Sequence, residues 1–153
     1  MKKLIPLFFA AFIAITAFSV NNMIQKKSPV LNHVALSVVN LQKSTAFYNE
    51  IIQLEMIPEP FKDGKHTWFK IGPGSALHVI EASKGIVQHD KSTHICFSVP
   101  SLEEMIERLV KNKVEYSNWP GDSKIPTVRP DGVKQIYLQD PDGYWLEINN
   151  DKY

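Results

Sequence analysis

The segment HVALSVVNL, which opens at His33, returns as HICFSVPSL at His94, 61 residues downstream. Ser37, Val38 and Leu41 meet Ser98, Val99 and Leu102 at the same offset. A repeat of this length constrains the fold more than any bulk property does. Each copy must be one supersecondary unit whose apolar face has to be covered by something beyond itself. Both copies read as an alternating strand with His near its start, then a turn, then an amphipathic helix. In the second copy Leu102, Met105, Ile106, Leu109 and Val110 recur at helical spacing, and Ser101 with Glu104 makes a capping box. In the first, a helix over roughly 41–53 gathers Phe47, Tyr48, Ile51 and Ile52 on one side, with Asn40 as its cap.

Short strand candidates follow at 55–60, 66–71 and 75–82, and again at 115–118, 134–139 and 144–149. Gly72-Pro73-Gly74 and Pro141-Asp142-Gly143 supply the turns. Each half is then β-α-β-β-β, with modules over about 30–82 and 92–149 of one domain spanning 29–153. The predicted fold class is α+β: duplicated βαβββ modules forming a curved mixed sheet around a pocket. Such a half leaves an apolar sheet face uncovered, and two halves, within or between chains, can curl together. Residues 119–133, rich in Pro and Gly, read as a long loop over that pocket.

Residues 1–28 are set apart from the fold as a signal peptide and linker. Lys2 and Lys3 precede an apolar run from Leu4 to Val20, and Ala17-Phe18-Ser19 offers small residues for cleavage near Ser19. The expectation is export to the periplasm or the medium, with membrane attachment only if the segment stays uncleaved. The formal net charge is +1, or −1 without Lys2 and Lys3, which argues against nucleic acid and acidic membrane surfaces as partners. The single cysteine, Cys96, cannot form an internal disulfide. Its apolar run, HICFSV, predicts a buried and inert thiol.

A metal site needs donors converging from different strands. His33 and His94 hold equivalent positions of the two halves, and the last strand of each half adds a donor, His78 and Glu147. If a pseudo-twofold axis relates the halves, the two opening imidazoles approach each other near it. Strand alternation places Ala76, His78 and Ile80 on one face and Val79 and Glu81 on the other. His66 falls outside the symmetry but can line the pocket, and His89 reads as a solvated loop residue. Three imidazoles and a carboxylate suit Zn, Ni, Mn, Fe(II) or Co without choosing among them.

The segments LNHVALSVVNLQKSTAFYNEIIQLE, HICFSV and DPDGYWLEI resemble the vicinal-oxygen-chelate superfamily over about residues 30–149. That group includes glyoxalase I, fosfomycin-resistance proteins, extradiol dioxygenases and bleomycin-binding proteins. The resemblance implies metal ligation by His33, His78, His94 and Glu147, with one divalent ion bound to two neighbouring oxygens of a small-molecule substrate. It implies a lyase or isomerase of the lactoylglutathione lyase type, in which Glu147 is catalytic base as well as ligand. It also implies a homodimer whose sites draw on both chains. Relatives that use glutathione carry Arg and Asn where this chain has Ser37 and Ala82. Ser37, His66, Trp68, Lys124 and Arg129 are the remaining substrate-binding candidates. Two alternatives stand beside this reading. One is an Fe(II) extradiol dioxygenase using His33, His94 and Glu147. The other is a metal-free drug-binding cup of the bleomycin-resistance kind.

Overall fold

The structure is a computed structural model that describes residues 28–152; the leader expected at 1–28 lies, except for Ser28, outside the described residues. Strand β1 (His33–Val38) leads into helix α1 (Leu41–Ala46), which continues as a wider π-helical turn over Phe47–Ile51. Strands β2 (Met56–Ile57), β3 (His66–Gly72) and β4 (Ser75–Glu81) complete the first module. The second repeats the plan with β5 (His94–Ser98), α2 (Leu102–Lys111), β6 (Tyr116–Ser117), β7 (Thr127–Val128), β8 (Lys134–Gln139) and β9 (Trp145–Asn149). The sheets have the orders β1-β4-β3-β2 and β5-β9-β8-β6, with β7 added beside β8. In each, the opening strand runs parallel to the last one and the other pairs are antiparallel. The fold is thus α+β with duplicated modules, as the repeat predicts, and each module contributes one mixed sheet.

Both helices begin where their caps demand. The Asn40 side chain accepts from Lys43 N at 2.8 Å, and that of Ser101 accepts from Glu104 N at 3.1 Å. Glu81, on the face opposite His78 as alternation requires, accepts from Leu41 N at 2.9 Å and puts a carboxylate at the positive end of α1. On α2, Leu102, Met105 and Leu109 are buried, but Val110 is 63% exposed. The apolar stripe is therefore narrower than the spacing alone suggested.

Both sheets and both helices contribute to one apolar core. Leu36, Phe69, Leu77 and Val79 from the first module join Ile136, Leu138, Leu146 and Ile148 from the second, with Tyr48 and Met105 among the helical residues. What each sheet leaves uncovered by its helix is a polar and aromatic face, not the apolar one expected.

The turn Asp140–Gly143 locks the modules together. Buried Asp140 accepts from Tyr48 Oη at 2.7 Å, and buried Asp142 accepts from Val39 N at 2.7 Å and Ser44 Oγ at 2.5 Å. Burial pushes the Asp140 carboxyl above its ordinary value, although the Tyr48 hydroxyl works against it. Gly143 has φ +89°, and a Cβ there would stand 3.0 Å from the Val87 carbonyl oxygen, so only glycine closes this turn without strain.

The segment 119–133 is not one loop. β7 pairs with β8, and Arg129 N donates to Val133 O at 2.8 Å to close a tight return. Between β2 and β3 the chain needs only residues 58–65, eight of them, whereas 118–133, sixteen residues, separate β6 from β8.

Candidate metal centre

The registers of the two sheets are the same at the positions that matter. Ala35, two residues beyond His33, pairs with His78; Cys96, two beyond His94, pairs with Glu147. On the next strand Trp68 pairs with His78 and Tyr137 with Glu147. Cross-strand partners share a face, so His33, His78 and Trp68 lie together on the first sheet and His94, Glu147 and Tyr137 on the second. The His33 and His78 rings stack at 4.3 Å with 8° between planes, and Trp68 stacks on His78 at 3.8 Å and 2°. His94 Nε2 stands 3.3 Å from Glu147 Oε2.

The opening histidines are held alike. His33 Nδ1 lies 2.7 Å from Asn32 Oδ1, and His94 Nδ1 lies 3.0 Å from the Lys91 carbonyl oxygen. Both partners are acceptors, so each Nδ1 carries the hydrogen and each Nε2 offers its lone pair. Ligating histidines are commonly fixed in this way by an outer acceptor. On the second face an imidazole lone pair then confronts a carboxylate oxygen, which requires a proton or a cation between them. Ligands about 2.1 Å from one ion stand about 3.0–3.4 Å apart in octahedral or tetrahedral arrangement, and the observed gap falls within that range. The donor set fits a divalent ion.

Glu147 is 7% exposed and well supplied with donors. Tyr137 Oη donates to Oε2 at 2.7 Å, while Asn149 Nδ2 at 2.9 Å and Cys96 Sγ at 3.3 Å donate to Oε1. Burial alone would raise its carboxyl, but these hydrogen bonds together hold it below the usual value. Burial, then the charges of His33 and His66, lower the His78 imidazole and favour its neutral, ligating form.

Among the described residues no three or more His, Cys, Asp or Glu side chains gather as a metal-binding group. The four predicted donors are therefore two pairs, one on each sheet. The His33 and His78 lone pairs lie in parallel ring planes and cannot converge on one ion as they stand. One ring must leave the stack before both can serve it.

Around these pairs the structure distributes the other candidates. Ser37 is exposed, and Tyr144 Oη engages its backbone N and O at 3.3 and 3.1 Å. His66 pairs with Asp63 at 2.8 Å and stacks on Phe61. Lys124 pairs with Glu115, and Arg129 with Asp131 and, at 3.4 Å, Asp151. His89 is not a solvated loop residue: it is half-buried, stacked on Tyr144 at 4.1 Å, and its carbonyl accepts from Trp145 Nε1. Cys96 is likewise not buried in the core. It is exposed, because alternation from His94 turns it onto the donor-bearing face.

Tyr137, Asn149, Lys91 and Trp145 were not anticipated. Alternation outward from Glu147 would have found Asn149, and no sequence signal marks Lys91. A cavity of about 500 Å³ opens beside the second pair, lined by Ser117, Asp122, Lys124, Tyr137, Gln139 and Trp145 among others. Two buried polar atoms on these faces, Trp68 Nε1 and Gln135 Oε1, have no partner among the described residues.

The fold and paired donors define a class, and comparison with known proteins gives the same one. The sequence profile of the Glyoxalase/Bleomycin resistance protein/Dioxygenase superfamily matches residues 30–148, and the chain belongs to this family. It is 24% identical to the lactoylglutathione lyase of Pseudomonas putida, over 78% of this chain and 83% of that protein. It is 30% identical to the metallothiol transferase FosB of Lysinibacillus sphaericus, over 78% of this chain and 80% of the relative. Among solved structures, a glyoxalase family protein from Bacillus anthracis superposes with a TM-score of 0.64 at 28% identity, covering 84% of this chain and 99% of its own.

Proposed function

We propose that the chain is an exported, metal-dependent enzyme that moves a proton between adjacent carbons of a small molecule bearing neighbouring oxygens. The observation that carries this reading is the matched register of two donor pairs, His33 with His78 and His94 with Glu147. A divalent ion (Zn, Ni, Mn or Fe(II)) held by them would stabilise negative charge developing on the substrate oxygens. Glu147 is the base. Asn149 and Cys96 restrain Oε1, while Oε2, turned toward His94, takes the proton. Tyr137 steadies that oxygen and is itself held by Gln135 Nε2 at 2.5 Å. Burial raises the Tyr137 phenol above its ordinary value, so it remains a donor throughout.

Because the pairs lie on separate sheets, the reading assigns each complete site to two copies of the chain, a homodimer in which one protomer offers His33 and His78 and its partner the other pair. The reading favours a small substrate other than a glutathione adduct. Ser37 and Ala82 lack the side chains that glutathione-using relatives place there, and the Ser37 backbone is already engaged by Tyr144.

The test is the metal content of purified residues 20–153 beside a His33→Ala, Glu147→Gln double variant. About one transition metal per chain in the parent, lost in the variant, supports the site. No metal in either protein, even after reconstitution with Zn, Ni, Mn and Fe(II), sinks it and leaves the metal-free binding cup. Export is tested by N-terminal sequencing of secreted protein, where an intact Met1 refutes cleavage. A second reading, fosfomycin resistance, is favoured by 30% identity to a fosfomycin resistance protein, FosX, of Listeria monocytogenes. Loss of fosfomycin in the presence of a thiol or water with the loaded protein would establish it instead.

A further inference from the structure

We propose that Lys91 is a positioning residue: a clasp that pins the inserted segment 118–126 over the second sheet and, through its own carbonyl, fixes His94. Lys91 lies in the connection between the modules, just before β5. Its ammonium makes three hydrogen bonds, to Asn118 O at 2.7 Å, Trp119 O at 2.8 Å and Ser117 Oγ at 3.3 Å. An ammonium has three hydrogens, so these acceptors use all of them. The same nitrogen stands 4.7 Å from the Tyr137 ring centre, 5.0 Å from that of Trp145 and 5.7 Å from that of Trp119. All six contacts are with uncharged groups, which makes this a half-buried cation cage and not an ion pair.

The position of the cage gives it consequence. Ser117, Tyr137 and Trp145 also line the 500 Å³ cavity beside the Glu147 pair. Trp119, edge-on to His94 at 6.5 Å and to Tyr137 at 5.1 Å, belongs to the segment that the first module lacks. The carbonyl of the same Lys91 accepts from His94 Nδ1. One residue thus joins the wall of the cavity to the ring whose Nε2 faces Glu147. Asn118 gives the segment its local shape by accepting from the Gly121, Asp122 and Ser123 amides, and Trp119 N donates to Thr127 Oγ1 of β7 at 2.9 Å. Lys91 adds the tie from the opposite side, from the connection before β5 to the carbonyls of Asn118 and Trp119.

The inference rests on the metal-site reading only for the role of His94; the clasp itself is testable without metal. Lys91→Met keeps the stem and removes the charge, and Lys91→Arg keeps the charge. In the metal-free full-length protein, amide exchange is followed at Asn118 and Trp119 and, as a reference, at Ile136 and Ile148. The expected result is at least tenfold faster exchange at the first pair in Lys91→Met, no change at the second, and substantial recovery in Lys91→Arg. Unchanged exchange at Asn118 and Trp119 overturns the clasp. So does equally accelerated exchange at Ile148, which would make Lys91 a general stability residue. Zinc titration of the same proteins is a separate readout. Zinc binding absent from parent and variant alike defeats the metal reading and leaves the exchange result to judge the clasp.

Discussion

Cys96 should react with a disulfide reagent roughly 60-fold more slowly than an ordinary exposed thiol, although it is itself exposed. Its sulfur donates to Glu147 Oε1 at 3.3 Å and accepts from Asn149 Nδ2 at 3.1 Å. Shielding of the sulfur from water, then the Glu147 charge and that hydrogen bond, push the thiol up to about 12. At pH 8 the thiolate fraction is then about 10⁻⁴, against roughly a quarter for a free cysteine near 8.5, a deficit of about 2,400-fold. The more basic thiolate is the better nucleophile. A Brønsted slope of about 0.45 returns roughly 40-fold of the deficit and leaves about 60. The assay is the rate of reaction with 5,5′-dithiobis(2-nitrobenzoate) at pH 8 in metal-free protein, with the urea-unfolded chain as reference. Glu147→Gln removes the charge and should quicken the folded rate several-fold. Equal rates in folded and unfolded protein would refute the assignment of the thiol to the Glu147 cluster. A Glu147→Gln rate unchanged from the parent would refute the carboxylate as a cause.

Three further outcomes follow from the same geometry. Asp142→Ala removes a buried carboxylate and leaves Val39 N and Ser44 Oγ without it, which should cost about 2–4 kcal/mol in urea unfolding; a loss under about 1 kcal/mol would show that the turn does not lock the modules. The Glu147 carboxyl is held below its ordinary 4.5, so its ionised form contributes stability above that value, lost as pH falls through the lower folded value. The stability gap between metal-free parent and Glu147→Gln should therefore be full at neutral pH and shrink in acid below 4.5, and a gap that widens in acid would reverse the sign of the argument. Finally, zinc should change the Trp68 fluorescence by drawing His78 or His33 out of the stack. A response that persists undiminished in Trp68→Phe would show that the stack is not the element that moves.

Much of this was legible in the chain because backbone period and side-chain alternation are local properties. The duplication, both helix caps, and the opposite facing of His78 and Glu81 needed only spacing and strand geometry. Cys96 was misjudged for an instructive reason. An apolar run such as HICFSV reads as core, yet in a strand every second residue faces away from Ile95 and Phe97 whatever its chemistry. Taken from His94, strict alternation would have placed Cys96 beside Glu147. Lys91 was beyond any such rule. Its partners come from the segment after β6 and from strands β8 and β9, contacts that exist only after the chain has closed. Which of the four candidate donors pair on one sheet was visible in spacing, but their separation was implied only by the family resemblance. Sequence registers say which residues are equivalent, but not whether the sheets bearing them face one another within one chain.

The same comparison shows where the two modules diverged. Their sheet registers remained identical from β1 and β4 to β5 and β9, so the paired positions were preserved as backbone geometry while their side chains changed. The first module holds its inner position by ring stacking, Trp68 on His78; the second holds it by hydrogen bonds, Tyr137 to Glu147. Stacking suits a neutral imidazole, and a phenol donor suits a carboxylate, so each cross-strand neighbour fits the charge of the donor it supports. The length difference falls in the one place where it disturbs neither pairing, between β6 and β8. The first module has eight residues there, which bring Phe61 onto His66 at 4.4 Å and edge-on to Trp68 at 6.2 Å. In the second, the added length carries Trp119 and the carbonyls that receive Lys91. The added length thus contributes Asp122 and Lys124 to the cavity beside Tyr137 and Trp145, and under the proposed function substrate selection resides in that half of the chain.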